Sequence, residues 1–334
     1  MCVSLHPHIL TMNTKLFFSS IVTISGFVLF VSNEVYDAMP TSEPLIHDAL
    51  VLQSRHVHRR QGMICQNKDF SPEHKKAVWT MLTEDPNYVL SALKMAHALR
   101  LHTTTEQFDM VVMELASKPL DSTAWRCLQE MGWKRCVVDR IGPLQEGISR
   151  AYRYVDQFTK LNLWGMTMYH TLVYLDADTM VMRSLSHLLN SNLGNHSIGV
   201  SAQTWYGNFE AFNMGVFVIH PERHEYERLL KLQRDPSMHY DVSWAEQGFL
   251  NAVYKDKWYD LGFANNALTW VSWQNHAYWT SQYAHFNVIH FGGLKPWSCF
   301  PDIFTEWLIA PSAYYTEICK VWRDMPPQTC ENLI

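Results

Sequence analysis

The stretch "TLVYLDADTMVMRSL", Thr171 to Leu185, places two carboxylates inside an otherwise apolar run. A buried charge costs free energy unless it is paired or bound to a metal. Asp176 and Asp178 stand at positions i and i+2, and such side chains of an extended segment point to the same side. We therefore expect the two carboxylates to converge on one hard cation, Mn²⁺ or Mg²⁺. The alternative is that one aspartate only caps the turn or helix near Ser184.

Strand and helix patterns alternate upstream of this stretch. The strand patterns are Ala77–Thr83, Phe108–Leu115, Arg135–Ile141 and Thr171–Asp176, and the helix patterns are Tyr88–His102, Ser122–Met131 and Ala151–Trp164. Such alternation predicts βαβ units and an α/β domain with a mostly parallel sheet flanked by helices. Ligands bind at the carboxyl ends of the strands in sheets of this kind. Asp176 and Asp178 fall at the carboxyl end of the fourth strand, so we expect them to face a ligand crevice.

Two further segments carry polar groups at element ends. Phe212–His220, "FNMGVFVIH", reads as a strand opened by Asn213 and Gly215, and a glycine in a strand marks a close backbone approach. Ala245–Asn251, "AEQGFLN", begins a helix with Glu-Gln-Gly before apolar residues. Both are therefore candidate ligand-contact segments.

A last strand ends in a loop suited to phosphate. Val288–Trp297 reads "VIHFGGLKPW", in which His290 can supply a metal nitrogen. Gly292 and Gly293 allow backbone N–H groups to turn toward a phosphate. Lys295 can neutralise phosphate as a point charge. On its own this segment is a weak signal, because a histidine in an apolar strand is more often core than ligand.

Composition narrows the class of protein. The chain has 334 residues, 47% hydrophobic and 18% charged, with a net charge of −5. This balance is typical of a globular protein with one large domain or two small ones. No basic excess points to nucleic acid as a partner. Asn195 opens a glycosylation sequon, and an even number of cysteines permits disulfides in an oxidising compartment, with buried thiols as the alternative. The six cysteines beyond the first apolar segment are Cys65, Cys127, Cys136, Cys299, Cys319 and Cys330.

The N-terminal region predicts a membrane anchor. Residues 16–31 read "LFFSSIVTISGFVLFV", carry no charge and follow Lys15. The positive-inside rule places residues 1–15 in the cytosol. A short span suits the thinner membranes of the ER or Golgi. We therefore expect a single-pass type II protein with a signal-anchor at 16–31, a stem at 32–73 and a luminal catalytic domain at 74–325. A cleaved signal peptide, leading to secretion, is the alternative.

Taken in order, the motifs resemble those of glycosyltransferase family 8, the glycogenin-like enzymes of GT-A fold. The match rests on "YLDADTMVM", "FNMGVFVI", "EQGFLN" and "HFGGLKPW", with "WTMLTEDPNYVLSAL" and "YVDQFTKLNLW" upstream. It covers about Ala77 to Trp297. The resemblance implies a Rossmann-like single catalytic domain and a retaining hexosyltransferase that uses a UDP-sugar and Mn²⁺, with Mg²⁺ as the alternative ion. It also implies a glycan, glycolipid or protein acceptor and is compatible with a homodimer.

The resemblance carries the metal and phosphate roles onto particular residues. Asp176, Asp178 and His290 match the family's metal ligands. Lys295 matches the lysine that contacts the pyrophosphate, and Gly293 lies in the same loop.

The uridine and sugar positions carry over in the same way. The first strand and turn hold the uridine in the family, and the matching positions are Leu82, Thr83 and Tyr88. The donor-contact set includes Lys160, Ala177, Asn213, Gly215 and Gln247. Catalytic assistance is implied for Lys160, Gln247 and Glu246.

One segment departs from the family pattern. Glu246 stands where the family commonly has aspartate before Gln-Gly, and Ser243 stands at an upstream acidic position, with Asp241 two residues earlier. The donor sugar therefore stays open. Two other readings remain beside the transferase: a catalytically inactive carbohydrate-binding protein on the same fold, and a nucleotide-sugar hydrolase or nucleotidyltransferase.

Overall fold

The computed structural model describes residues 20–24, 27–31, 64–143, 156–203, 211–293, 295–298, 313–325 and 330. The chain divides into two compact units, Met1–Gln61 and Gly62–Ile334. Each unit is described by itself.

The first unit contains a short antiparallel hairpin. Strand β1, Ser20–Ile24, pairs with β2, Phe27–Val31. These ten residues are therefore strands, whereas a single-pass span at 16–31 implies a helix. Both segments are rich in β-branched and aromatic residues, which favour extended backbone. The rest of the predicted anchor, the cytosolic tail and residues 32–63 of the stem lie outside the described residues. Within the described ranges, no helix combines the length and apolarity needed to cross a membrane.

The second unit is built on a seven-stranded sheet with the order β10-β8-β9-β6-β3-β4-β5. Every strand of this sheet runs parallel to the others except β9, which is antiparallel to both neighbours. The α/β class and mostly parallel sheet expected from the sequence are thereby confirmed. The strands of this unit are β3 Lys76–Leu82, β4 Asp109–Leu115, β5 Trp133–Val138, β6 Thr171–Leu175, β7 Thr179–Val181, β8 Ile198–Ala202, β9 Phe212–Ile219, β10 Trp258–Asp260, β11 Ala267–Leu268 and β12 Val288–His290.

A smaller sheet joins the two metal-ligand motifs. Its order is β11-β12-β7, and β7 begins directly after the Asp-Ala-Asp turn. Antiparallel pairing sets His290 opposite Thr179. The N–H of Phe291 also donates to the backbone oxygen of Asp178, at 3.0 Å. Main-chain pairing therefore holds the last motif beside the first.

Apolar residues cover both faces of the main sheet. Trp79 and Met113 belong to one buried cluster, and Val78 and Val112 belong to another. Burial on both faces explains why the strands read as continuous apolar runs rather than as alternating ones.

Capping residues define the starts of the first two helices after β3. Asp85 accepts the N–H of Asn87 at 2.9 Å, and Asp121 accepts the N–H groups of Thr123 and Ala124. The helices of the second unit are α1 Pro86–His102, α2 Ser122–Glu130, α3 Ser186–Leu189, α4 Arg223–Gln233, α5 Ala245–Val253, α6 Val271–Gln274, α7 His276–Gln282 and α8 Ala313–Asp324.

The third expected helix differs from the expectation. The sequence predicts a helix over Ala151–Trp164, but the structure has a 3₁₀ helix at Gln157–Gly165, and residues 151–155 lie outside the described part. Residues 158–165 are all buried, so no face of this segment is solvated. Tertiary packing therefore overrides the helix propensity here.

The end of the predicted stem packs into the second unit. Ile64 and Cys65 are buried, Cys65 is disulfide-bonded to Cys136, and the N–H of Gln66 donates to Val137 at 2.7 Å. Residues 64–73 thus join the folded unit ahead of the boundary expected at 74. The packing of two apolar side chains and the disulfide account for the earlier start.

A second disulfide joins α2 to a distant part of the chain. Cys127 is bonded to Cys330 across 203 residues of sequence, and Cys319 is also disulfide-bonded. The reading of these cysteines as buried thiols is therefore wrong.

Loss of the Cys127–Cys330 bond is expected to destabilise the fold. Cys127→Ser should lower the free energy of unfolding by about 2–5 kcal/mol, because the unfolded chain regains the freedom of a long loop. Equilibrium unfolding in guanidinium measures this loss. The double variant Cys127→Ser/Cys330→Ser is the control, since it removes the same single bond and should lose about the same. A double variant that loses the sum of two independent single losses would contradict the assignment.

Candidate functional site

A cleft of about 820 Å³ opens at the carboxyl end of the main sheet. Every site residue expected from the sequence lines it, except Leu82. Leu82 ends β3 and is fully buried in the same apolar cluster as Val78. Its side chain therefore does not face the cleft, and Thr83 is the first residue after β3 that does. The physical reason is the strand alternation, which turns Leu82 to the core.

The three expected metal ligands lie together. Asp176, Asp178 and His290 each offer a ligand atom, and these atoms are all within 4.8 Å of one another. Nε2 of His290 is 3.5 Å from Oδ1 of Asp178. Ser184 itself caps the turn that follows, accepting the N–H of Ser186 at 3.2 Å. The alternative expectation is that one aspartate caps the turn near Ser184, but the hydroxyl of Ser184 makes this capping bond.

Asp178 is buried against two basic groups. Its second oxygen bonds to the ammonium of Lys295. Burial alone would raise the pKa of Asp178, but His290 and Lys295 outweigh it and hold that pKa well below the ordinary value. The same contact raises the pKa of Lys295 against the opposing effect of its own burial. Both groups are therefore charged at neutral pH.

A chain of amides orients the imidazole. The N–H of Gly215 donates to Oδ1 of Asn213 at 2.8 Å, and Nδ2 of Asn266 donates to the same oxygen at 2.9 Å. Oδ1 of Asn266 then lies 3.0 Å from Nδ1 of His290. Because that oxygen can only accept, Nδ1 of His290 carries a proton. In the neutral imidazole the lone pair of Nε2 then faces Asp178, as a metal ligand requires.

Gly215 makes room for this imidazole. A Cβ at Gly215 would lie 2.1 Å from Cε1 of His290 and 2.4 Å from its Nδ1. The backbone oxygen of Gly215 accepts the N–H of Asp176 at 2.7 Å. The backbone of β9 at Gly215 therefore lies against two of the expected metal ligands, Asp176 and His290. This is the close backbone approach that a glycine in a strand predicts.

A buried lysine joins the Asp-Ala-Asp turn to α5. Nζ of Lys160 lies 2.9 Å from Oδ1 of Asp176 and 2.9 Å from Oε1 of Glu246. The hydroxyl of Tyr174 donates to the same Asp176 oxygen at 2.9 Å. Burial opposes the charge of Lys160, but the two carboxylates outweigh it and raise its pKa. Burial raises the pKa of Glu246 even against the pull of Lys160.

Gln247 is fixed to the backbone of β9. Its Oε1 accepts the N–H of Met214 at 3.1 Å and Nδ2 of Asn213 at 3.2 Å. Its amide nitrogen donates to Gln203 at 3.2 Å. The side chain is thus held at the cleft wall with a defined orientation.

The sequence of this chain matches a glycosyltransferase family. Residues 80–299, more than half of the chain, match the profile described as glycosyl transferase family 8. The chain belongs to glycosyl transferase family 8.

Several curated relatives resemble this family 8 chain. Glycogenin-1 of Caenorhabditis elegans is 28% identical over 229 residues, which cover 66% of this chain and 50% of the relative. A putative UDP-glucuronate:xylan alpha-glucuronosyltransferase 4 of Arabidopsis thaliana is 25% identical, covering 75% of this chain and 42% of the relative. Galactinol synthase 3 of Arabidopsis thaliana is 28% identical, covering 69% and 76%. The chain thus spans half or less of the first two relatives.

Solved structures agree on the fold. The galactosyltransferase LgtC, in complex with donor and acceptor sugar analogues, superposes with a TM-score of 0.52 at 18% identity, covering 75% of this chain and 100% of that one. GlyE of Streptococcus pneumoniae TIGR4 gives 0.54 at 18% identity, covering 76% and 62%. This likeness shows the GT-A fold.

Some cleft residues of this family 8 protein are absent from the sequence-based set. Lys118 and Asp156 line the cleft, and the Asp156 carboxylate is held by Lys118 at 2.6 Å and by Arg140 at 2.7 Å. Gln203 and Trp244 line it as well. Asp156 lies within the expected helix segment Ala151–Trp164, but nothing in that pattern marks it as a site residue. Lys118, Gln203 and Trp244 belong to no quoted motif, so only the folded chain shows them at the site.

The acids near the start of α5 have separate positions. Asp241 accepts the N–H of Ser243 at 3.0 Å and caps the 3₁₀ helix Val242–Trp244. Ser243 lines the cleft, and Asp241 is not among its lining residues. Glu246 is therefore the acidic group that this segment brings to the cleft.

Proposed function

We propose that this protein is a metal-dependent, retaining glycosyltransferase that moves a hexosyl group from a UDP-sugar to a glycan, glycolipid or protein acceptor. One observation carries the proposal. Asp176, Asp178, His290 and Lys295 converge at one edge of the cleft, where the carboxyl ends of the strands meet. This grouping combines cation ligands with a phosphate-neutralising charge, as a nucleotide diphosphate requires.

The donor set suits a divalent cation. Two carboxylates and an imidazole would hold it, and carboxylate oxygens favour Mn²⁺ or Mg²⁺. The amide chain presents Nε2 of His290 as an acceptor, and Gly215 leaves the space for it. We propose Mn²⁺ as the physiological ion, because the imidazole suits a transition metal better than Mg²⁺. When bound, the ion would act as a Lewis acid toward the diphosphate.

Other residues of the cleft are proposed to bind the diphosphate and the uridine of the donor. Lys295 would stabilise the charge that grows on the diphosphate as the sugar–phosphate bond breaks. Gly293, at a φ of 115°, allows the loop backbone to turn toward phosphate oxygens. Thr83 and Tyr88 are proposed to hold the uridine. The ring of Tyr88 packs edge-on against Trp297, with centroids 4.8 Å apart, which fixes its orientation.

The groups at the start of α5 support the proposed retention of configuration at the transferred sugar. Glu246 is buried and bonded to Lys160, so it is engaged rather than available as a nucleophile. Gln247 is fixed by three hydrogen bonds and is proposed to position the donor sugar. We therefore propose direct attack by the acceptor hydroxyl on the face from which the diphosphate departs. The new glycosidic bond forms as the sugar–phosphate bond breaks, and the hydroxyl proton passes to the departing phosphate oxygen. Lys160 is proposed to place Asp176 and Glu246.

A luminal location is part of the proposal. Disulfides at Cys65–Cys136 and Cys127–Cys330 and the exposed sequon at Asn195 suit an oxidising, glycosylating compartment. The apolar segment 16–31 is proposed as the anchor in an ER or Golgi membrane, with secretion after cleavage as the alternative. The catalytic domain is proposed to extend to residue 325.

The test is release of UDP by the purified chain. UDP-glucose, UDP-galactose, UDP-N-acetylglucosamine and UDP-glucuronate are supplied with Mn²⁺ and then with EDTA. We expect release from at least one donor, and we expect EDTA to abolish it. Glycan binding without any affinity for UDP and Mn²⁺ would instead identify the inactive binding protein. Sugar passed only to water, or left joined to phosphate, would identify the hydrolase or nucleotidyltransferase.

A Gly215→Ala variant tests the place of His290. The added methyl group would collide with the imidazole, so metal affinity should fall by roughly 10–100-fold, as for other losses of a ligand's support. Calorimetric titration of Mn²⁺ measures the change. Gly142→Ala is the control, because the atoms nearest its Cβ would be those of the Arg140 guanidinium, at 3.3 Å and beyond. Unchanged Mn²⁺ affinity in Gly215→Ala would remove His290 from the ligand set.

A further inference from the structure

Trp244 stands apart from the other tryptophans. Among those that the structure describes, it alone is exposed, with 47% of its surface accessible, and it lines the cleft. Its indole makes no ring contact and no side-chain hydrogen bond with any described residue. Ligand clefts are typically lined by apolar and aromatic side chains, so a large ring left open on the wall of this cleft is placed to meet a ligand.

The backbone holds this ring in place at a cost. Trp244 ends the 3₁₀ helix Val242–Trp244, and its N–H donates to Asp241 at 3.2 Å. Ala245 follows with φ 49° and ψ −128°, a conformation that residues with a Cβ rarely adopt. A Cβ on Gly248 would lie 2.0 Å from the backbone oxygen of Asp241, so the turn packs directly on α5. Strain of this kind clusters at ligand sites.

The position of Trp244 in the chain indicates which part of the substrates it would contact. The ring precedes Glu246 and Gln247 by two and three residues, on the segment proposed to contact the donor sugar. The proposed uridine contacts, Thr83 and Tyr88, belong to a different segment, which follows β3. A group that meets Trp244 therefore lies at the sugar end of the donor.

We propose that Trp244 is a stacking platform for a pyranose ring of the acceptor. A pyranose has C–H bonds on its faces and hydroxyls around its rim, so an aromatic ring can cover a face while the hydroxyls stay free to bond or react. The cleft volume of about 820 Å³ lies in the upper part of the range of ~300–1,000 Å³ typical of ligand pockets, which suits a donor together with part of an acceptor. This inference rests on the proposed function and names its acceptor as a pyranoside.

The test separates donor binding from acceptor binding. Wild type, Trp244→Ala and Trp244→Phe are loaded with UDP and Mn²⁺, and the affinity for each is measured by calorimetry. The loaded proteins are then titrated with methyl pyranosides of glucose, galactose, xylose and N-acetylglucosamine, whose aglycone carries no aromatic ring that could stack on the indole itself. Tyr259→Ala is the matched control, because Tyr259 is an aromatic residue with 42% of its surface exposed and does not line the cleft.

The expected result is a loss confined to the acceptor. Trp244→Ala should bind UDP and Mn²⁺ as wild type does and lose pyranoside affinity by roughly ten-fold, the size of an aromatic stacking contribution. Trp244→Phe should keep most of that affinity, and Tyr259→Ala all of it. Equal pyranoside affinity in Trp244→Ala and wild type overturns the inference, and so does a loaded wild type that binds no pyranoside. If wild type does not bind UDP and Mn²⁺, that result contradicts the proposed function rather than the role of Trp244.

Discussion

Asp178→Asn is expected to lower kcat/KM for UDP release by about a thousand-fold. The amide keeps the size of the side chain but removes the charge that a cation needs. The carboxylate it replaces is 8% exposed, so water cannot make good the loss. The variant also removes the carboxylate that pairs with the ammonium of Lys295. The measurement is UDP release across a series of Mn²⁺ concentrations, because a lost ligand weakens the response to the ion as well as the maximum rate.

The control for this variant is a carboxylate on the surface. Glu227 pairs with Arg223 at 2.6 Å, and its side chain is 59% exposed. Glu227→Gln should leave the rate and its Mn²⁺ dependence unchanged, since exposed pairs contribute little. Full activity in Asp178→Asn, with an unchanged Mn²⁺ response, would refute the metal assignment.

Lys160→Met is expected to destabilise the protein by about 3–5 kcal/mol, the typical cost of removing one partner from a buried ion pair. Lys160 is 2% exposed and is the shared partner of Asp176 and Glu246. Without it, Glu246 is left as an uncompensated charge in the core. Urea unfolding at pH 7 measures the loss.

The loss is also expected to depend on pH. Burial already raises the pKa of Glu246 above its ordinary value of 4.5, and Lys160 opposes that rise. Removing Lys160 lets the pKa rise further, so folding then favours the protonated acid. That stability is fully present below pH 4.5 and is lost as the pH rises through the raised pKa of the folded state. The deficit of Lys160→Met should therefore be smallest in acid and grow toward neutral pH.

A second substitution separates charge from packing. Glu246→Gln in the Lys160→Met background removes the orphan carboxylate, so the double variant should be more stable than Lys160→Met alone at pH 7. A double variant that is no more stable would show that the cost is a matter of volume and not of charge.

The sequence predicted the part of the site that lies in continuous motifs. Asp176 and Asp178 face the cleft because they follow a strand of an α/β sheet, and that placement follows from the alternating patterns. His290 is brought to them by the smaller sheet. The side chain of Leu82 is turned to the core, because the family motif marks a chain position whereas strand alternation decides which way a side chain points. The short strands β7 and β11 carry too few residues for any periodicity, so the smaller sheet that joins the motifs had no signal.

Other features depend on tertiary contacts alone. Asn266 orients His290 through a hydrogen bond between residues 24 apart, and nothing in its local sequence marks it. Asp156 reaches the cleft through its ion pairs with Lys118 and Arg140, which the pattern of its own segment does not show. Trp244 belongs to no quoted motif. Residues 158–165 form a 3₁₀ helix in which every residue is buried, so no amphipathic pattern marks the element. The apolar residues 20–24 and 27–31 have the composition of either an anchor or a strand pair, so composition alone does not distinguish the two.

The Cys65–Cys136 and Cys127–Cys330 disulfides impose an order on biosynthesis. Cys65 and Cys136 are 71 residues apart, and both are translated before β6 begins. Cys127 is bonded to a partner made 203 residues later, so this bond cannot form until the chain has been made as far as residue 330. The Cys127–Cys330 bond can therefore close only after every motif of the cleft has been translated.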